Sequence, residues 1–164
     1  MINIVIPMAG QGSRFVKSGY KKPKPFIDVN GKPMIVRVLE NLAYPNARYI
    51  LIARKEHIEK EAVLVAKIEK EFNAIFIPIN KLTEGTACTA LYARKYINND
   101  DMLIFANSDQ IVDFEIKDFI ADSVNKNLDA SILTFIDIEQ NPKWSFAKID
   151  KNNLVEKVAE KQVI

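Results

Sequence analysis

The amino-acid sequence predicts an α/β domain in three layers, an open and mostly parallel sheet with helices on both faces. Short apolar runs alternate along the chain with amphipathic stretches, the pattern of strand and helix in turn. Most of those runs are continuously apolar rather than alternating, as strands are when both their faces are buried. The composition agrees: 164 residues, 48% apolar and 27% charged, give an ordinary globular chain with room for one domain.

The strands expected in order are Ile2–Ile6, Tyr49–Ala53, Ala74–Ile79, Met102–Ala106 and Ala130–Ile136. Pro33 to Leu42 reads as the first long helix, opened by proline near its first turn and carrying Met34, Ile35, Val38, Leu39 and Leu42 on one stripe. A second stripe runs through Ile58, Ala62, Val65, Ile68 and Phe72, and a third through Ala87, Ala90, Leu91 and Ile97. A fourth helix is expected over Ile116 to Val124. Phe146–Asp150 and Leu154–Val158 form a hairpin around Lys151-Asn152-Asn153. No repeat or linker divides the chain. Gln162-Val163-Ile164 is an apolar step rather than a polar tail, so residues 1–164 are expected to be the N-terminal and larger part of a domain that continues.

Several function classes fall away. Met1 to Pro7 is too short for a signal sequence and has no basic start, and no run approaches the ~20 apolar residues of a membrane span, so a cytoplasmic protein with no membrane partner is expected. The single cysteine, Cys88, cannot form an internal disulfide and lacks the companions of a zinc site; it is expected to pack a helix. His57, the only histidine, lies in a helical surface segment and is expected to face solvent. A net charge of +2 is too small to imply nucleic acid. The one dense basic cluster, Arg14, Lys17, Lys21, Lys22 and Lys24, sits beside a glycine loop.

That loop, Pro7-Met8-Ala9-Gly10-Gln11-Gly12-Ser13-Arg14-Phe15, follows the first strand, at the carboxyl end of a parallel sheet where ligands bind. Backbone N–H groups of such a loop can cradle an anion, and glycine lets the chain approach phosphate. It is neither a dinucleotide fingerprint, since Phe15 takes the place of the third glycine, nor a Walker loop. Arg14 is a two-pronged phosphate donor, and Pro23-Lys24-Pro25 holds one lysine between rigid residues.

Gly10-x-Gly12-x-Arg14, Pro23-Lys24-Pro25 and Gly31-Lys32-Pro33-Met34 together resemble the signature of the sugar-phosphate nucleotidyltransferase family. Met8-Ala9-Gly10, where many members have a richer glycine run, is similar to the branch associated with capsule and surface-polysaccharide genes. Three later segments fall in the family's order: Thr83-Glu84-Gly85-Thr86-Ala87, Asn107-Ser108-Asp109-Gln110 and Val158-Ala159-Glu160-Lys161. The resemblance implies a Rossmann-like sheet of the GT-A type. It also implies an Mg²⁺-dependent enzyme that joins a nucleoside triphosphate to a small phosphorylated acceptor, foremost a sugar 1-phosphate.

The same resemblance assigns the residues. Nucleotide would be bound by Met8, Ala9, Gly10, Gln11, Gly12 and Ser13, with the nucleobase against Gly85 and Thr86. Arg14 and Lys24 would be catalytic, toward the leaving pyrophosphate and the α-phosphate. Asp109 would hold Mg²⁺; Asn107, Glu160 and Lys161 would meet the acceptor. Family members supply a second metal-binding aspartate from a segment later than Ile164. Thr83 is also placed to cap the helix that follows it.

Two other readings share much of this pattern. A glycosyltransferase using nucleotide sugars would have the same sheet and a metal aspartate, but such enzymes usually carry Asp-x-Asp, and position 107 is asparagine. A nucleotide-binding domain without turnover is the other.

Overall fold

The computed structural model describes all residues, Met1–Ile164. The chain forms two compact units, Met1–Lys117 and Asp118–Ile164. In chain order the first carries β1 (Ile2–Pro7), α1 (Ser13–Lys17), a 3₁₀ turn (Lys24–Phe26), β2 (Asp28–Val29), β3 (Lys32–Pro33), α2 (Met34–Asn41), β4 (Ala47–Arg54), α3 (Lys55–Lys60), α4 (Ala62–Phe72), β5 (Ala74–Ile79), α5 (Thr86–Ala90), a second 3₁₀ turn (Leu91–Ala93), α6 (Arg94–Ile97) and β6 (Met102–Phe105). Helix α7 (Ile116–Asn125) leads into the second unit, which holds β7 (Phe146–Ile149) and β8 (Val155–Ala159).

The sheet of the first unit has four strands in the order β5-β4-β1-β6, all neighbours parallel. The chain builds outward from β1 through β4 to β5, then returns to the other side of β1 for β6. That reversal opens a crevice at the carboxyl ends of β1 and β6, where open α/β sheets bind ligands.

Burial explains why the strands are legible. Ile4, Val5, Ile6, Ile50, Leu51 and Ile52 have no exposed surface, and each such side chain contributes about 1.5–3 kcal/mol on leaving water. On one face Val5, Ile50, Ile52 and Ile79 pack with Ala90 and Ala93, with Tyr96 and Ile97 at the margin. On the other, the Phe26 ring stacks on Phe76 at 6.5 Å, and α2 buries Ile35, Val38 and Leu39. Helices therefore cover both faces of a mostly parallel sheet, the expected fold class.

Several details differ from the sequence reading. Ala130–Ile136 forms no strand: its backbone enters no ladder, and Ile132, Leu133, Phe135 and Ile136 are exposed. Apolar content alone does not make a strand; a neighbour must offer its N–H and C=O groups, and in this unit only β7 and β8 pair. The stripe from Ile58 to Phe72 is two helices broken at Glu61, where Lys60 donates to the Lys21 carbonyl at 2.7 Å and Glu61 meets Lys22 at 3.9 Å.

The third stripe is rotated. In α5 Thr89 and Ala90 are buried and Ala87 is exposed, and the 3₁₀ turn at Leu91–Ala93 then breaks the helical period so that Ala93 is buried and Leu91 is 66% exposed. Cys88, on the outer side, is exposed rather than packed. His57 is the reverse case, its side chain only 13% exposed and its Nδ1 buried without a partner. Burial, reinforced by Arg54 and Lys60 and opposed by Glu56, lowers its pKa from 6.5.

The Asn30-Gly31 pair turns the β2–β3 hairpin with φ of 51° and 83°, as a two-residue loop of this chemistry should. Arg37 secures it, donating from Nε to the Val29 carbonyl at 3.0 Å and from its terminal nitrogen to the Asn30 carbonyl. In the second unit the expected hairpin forms, closed by Asp150, whose Oδ1 accepts from the Asn152 and Leu154 amides, both at 2.8 Å.

Candidate functional site

At the carboxyl end of β1 the ladder runs one residue past the strand: the Met8 amide donates to the Ile52 carbonyl at 2.9 Å. Met8 and Ala9 are buried, and Ala9 belongs to the core cluster with Val5 and Ala90. Two residues of the loop are thus anchors, and only then do Gly10 and Gln11 become exposed. Gly12 turns the chain into α1 with φ 61°, its carbonyl accepting from the Phe15 and Val16 amides at 2.9 and 3.2 Å. A side chain there would be strained, and its Cβ would stand 3.2 Å from that of Lys24.

Lys24 opens the 3₁₀ turn whose next residues, Pro25 and Phe26, are buried. With Pro23 extended on one side and that buried pair on the other, the backbone at Lys24 is held firmly. Its stem lies against Gly12, its ammonium is 5.5 Å from the centre of the Phe15 ring, and it pairs with the Asp109 carboxylate. The two side chains are 26% and 39% exposed and 85 residues apart in sequence. Asp109 comes from the loop after β6, the other strand flanking the crevice.

Between these loops lies a cavity of about 410 Å³. Met8, Ala9, Gly10, Gly12, Ser13, Arg14, Lys24, Gly85 and Thr86 line it, so nine sequence-predicted residues come together there. Gln11 is exposed beside them without lining it. Ser108 lines the cavity, and its neighbour Asp109 reaches it by pairing with Lys24. Asn107 donates to Gln110 Oε1 at 2.5 Å within its own loop. Glu160 and Lys161 belong to the second unit, exposed after β8 and paired with each other at 3.3 Å.

The wall around Gly85 is a knot of oxygens. Thr83 Oγ1 and Thr89 Oγ1 lie 2.6 Å apart, and each is within reach of the Gly85 carbonyl, at 3.2 and 3.1 Å; that carbonyl also accepts the Thr89 amide at 3.0 Å. Thr83 therefore does not cap α5, which starts from Gly85 with no side-chain cap. Gly85 is extended, with φ −179° and no atom within 4 Å of an added Cβ. Glycine here leaves open space beside the cavity rather than serving the backbone.

Sequence reasoning missed Thr89, Leu82, Pro25 and Phe15 in the lining. Thr89 had a signal, its place four residues after Gly85, where a helical hydroxyl reaches back to a carbonyl. It also missed Asn41, considered below.

The donor set bears on a metal. No cluster of three or more His, Cys, Asp or Glu side chains exists in the chain, so the protein offers no cage. Asp109 alone, paired with Lys24 at the edge of the cavity, fits instead a hard cation that takes most of its ligands from substrate oxygens and water, as Mg²⁺ does.

The family model described as Nucleotidyl transferase matches residues 4–162. The chain belongs to this family. Among curated relatives, mannose-1-phosphate guanyltransferase of Debaryomyces hansenii is 28% identical over 166 residues, covering 97% of this chain and 45% of that protein. That of Pichia angusta is 26% identical over 163 residues, covering 97% and 44%. The chain thus spans less than half the length of the curated relatives it matches.

Among solved structures, the nucleoside-diphosphate-sugar pyrophosphorylase from Vibrio cholerae superposes with a TM-score of 0.75 at 24% identity, over 98% of this chain and 68% of that one. UDP-glucose pyrophosphorylase complexed with UDP-glucose gives 0.75 at 17% identity, over 99% and 70%. At these identities the superpositions establish the family's fold for residues 1–164.

Proposed function

We propose that the protein transfers a nucleotidyl group from a nucleoside triphosphate to the phosphate of a sugar 1-phosphate, with release of pyrophosphate. The carrying observation is that Lys24 and Asp109, far apart in sequence, meet beside the glycine loop at the point where the sheet order reverses. A cationic donor and a lone carboxylate paired beside a glycine loop suit a reaction that positions two anions and needs no covalent nucleophile.

A phosphate oxygen of the acceptor attacks the α-phosphorus, the bond from that phosphorus to its bridging oxygen breaks, and pyrophosphate carries away the electron pair. The loop Ala9–Ser13 grips the triphosphate with backbone N–H groups, and Arg14 holds the β- and γ-phosphates that depart. Lys24 leaves Asp109 for the α-phosphate, meeting the charge that grows there. Gly85 and Thr86 receive the nucleobase, and Asn107 the acceptor. Asp109 would hold Mg²⁺, which supplies charge neutralisation between the phosphates when bound. A cytoplasmic role in making activated sugars for cell-surface polysaccharide is part of this proposal.

The test incubates the protein with Mg²⁺, each of the four common nucleoside triphosphates and a panel of sugar 1-phosphates, following pyrophosphate. Release that needs both metal and acceptor, and is lost in Asp109→Asn, is the expected result. Saturable nucleotide binding without acceptor-dependent release would replace transfer by binding alone.

A further inference from the structure

We infer that Asn41, which lies outside the cavity, is a positioning residue that sets Asp109 for its cation; this rests on the reading of Asp109 given above. Asn41 is the last residue of α2, where a side-chain amide ordinarily finds water or the helix's own carbonyls. Here it does neither. Its Nδ2 donates to the Val112 carbonyl at 2.9 Å and its Oδ1 accepts from the Val112 amide at 3.0 Å, across 71 residues. A primary amide has the donor and acceptor of a peptide group, so the pair closes as a strand-to-strand bridge would.

That bridge is one of two stakes. At the near end of the loop the Ala106 amide donates to the Val5 carbonyl at 3.0 Å, extending the sheet past β6. Between the stakes run Asn107 to Ile111, with Asp109 at the middle and Asn107 braced on Gln110. Sheet and helix each hold one end of the segment that carries the carboxylate.

Helix α2 also holds the partner. Its first amide, on Met34, donates to the Ile27 carbonyl at 2.8 Å, directly after the turn that begins with Lys24. Its eight residues span about 12 Å at 1.5 Å each. With Ile35, Val38 and Leu39 buried it is fixed to the sheet, and Lys24 hangs from one end while Asp109 is tethered to the other. The glycine loop is anchored elsewhere, by β1 and Ile52, so loosening Asn41 reaches the metal side of the site and not the nucleotide side.

The test titrates Mn²⁺, followed by its paramagnetic resonance signal, into wild type, Asn41→Ala, Asn41→Asp and Asp109→Asn, each with the α,β-methylene analogues of the four common nucleoside triphosphates. Nucleotide affinity in chelator and melting temperature are measured on the same samples. Groups that hold a metal ligand in place typically contribute 10–100-fold in affinity. Asn41→Ala is expected to weaken Mn²⁺ about tenfold or more with nucleotide affinity in chelator within twofold. Asn41→Asp, which keeps the acceptor for the Val112 amide and loses the donor, falls between, and carries the test if the alanine variant does not fold.

Wild-type Mn²⁺ affinity in both Asn41 variants overturns the inference, as does an equal loss of metal and nucleotide affinity. Wild-type Mn²⁺ affinity in Asp109→Asn instead refutes the assignment of Asp109 itself.

Discussion

Gly10 and Gly12 stand two residues apart in the same loop, and the structure gives them opposite jobs. At Gly12, φ is 61° and an added Cβ meets the Lys24 Cβ at 3.2 Å; at Gly10 an added Cβ meets nothing within 4 Å. Placing alanine in the left-handed region costs about 1–2 kcal/mol. For a chain of this size that lowers the melting temperature by about 2–8 °C.

The Cβ contact adds a displacement of a few tenths of an ångström at Lys24. If a 1 Å misplacement costs about 10²-fold, such a shift costs turnover about fourfold. Gly12→Ala should therefore lose both stability and turnover. Gly10→Ala should melt as wild type yet bind nucleotide more weakly, because its methyl enters space that phosphate would use. Thermal melts and pyrophosphate-release kinetics on both variants check this. A Gly12→Ala protein that melts with the wild type, or a Gly10→Ala protein that binds nucleotide unchanged, would refute the division of labour.

Lys24→Met should lower kcat by about 10²–10³, as removal of one transition-state donor does, with a much smaller change in nucleotide affinity by calorimetry. Tyr49→Phe removes the hydroxyl that donates to the Leu42 carbonyl at 2.9 Å and accepts from the Tyr44 amide at 3.3 Å. Denaturant unfolding should report a loss of about 1–3 kcal/mol for the groups left unpaired. His57 is held below its unfolded pKa of 6.5, mainly by burial, so the unfolded chain takes up the proton first. Stability present above pH 6.5 is then lost as pH falls toward the folded value, and His57→Leu should flatten that part of a stability-versus-pH curve.

The central strands β1 and β4 were legible because each buries both faces, which a single sequence displays as an unbroken apolar run; β6 keeps such a run although Leu103 and Phe105 are exposed. The same rule misled at Ala130–Ile136, since hydropathy records what a segment avoids and says nothing of who pairs with it. Helix stripes assume a constant 3.6-residue period, which the 3₁₀ turn at Leu91–Ala93 breaks, so Ala93 rather than Leu91 faces the core. The basic and glycine-rich part of the site could be read locally. Asn41 could not: its partner is a backbone group 71 residues away, and any residue at position 112 but proline would present the same two atoms.

The oxygen knot around Gly85 has a consequence for what the cavity can hold. Three oxygen-to-oxygen contacts join Thr83, Thr89 and the Gly85 carbonyl, but the two hydroxyls bring only one proton each. Whichever hydroxyl donates to the other, that second one must donate to the carbonyl, so both protons are spent inside the knot. Only lone pairs remain to face a guest. The two knotted hydroxyls can therefore grip an N–H edge and give nothing to a carbonyl, which is left to the Thr86 hydroxyl and the uncapped first amides of α5, so triphosphates whose base N–H is methylated should bind more weakly than their parents.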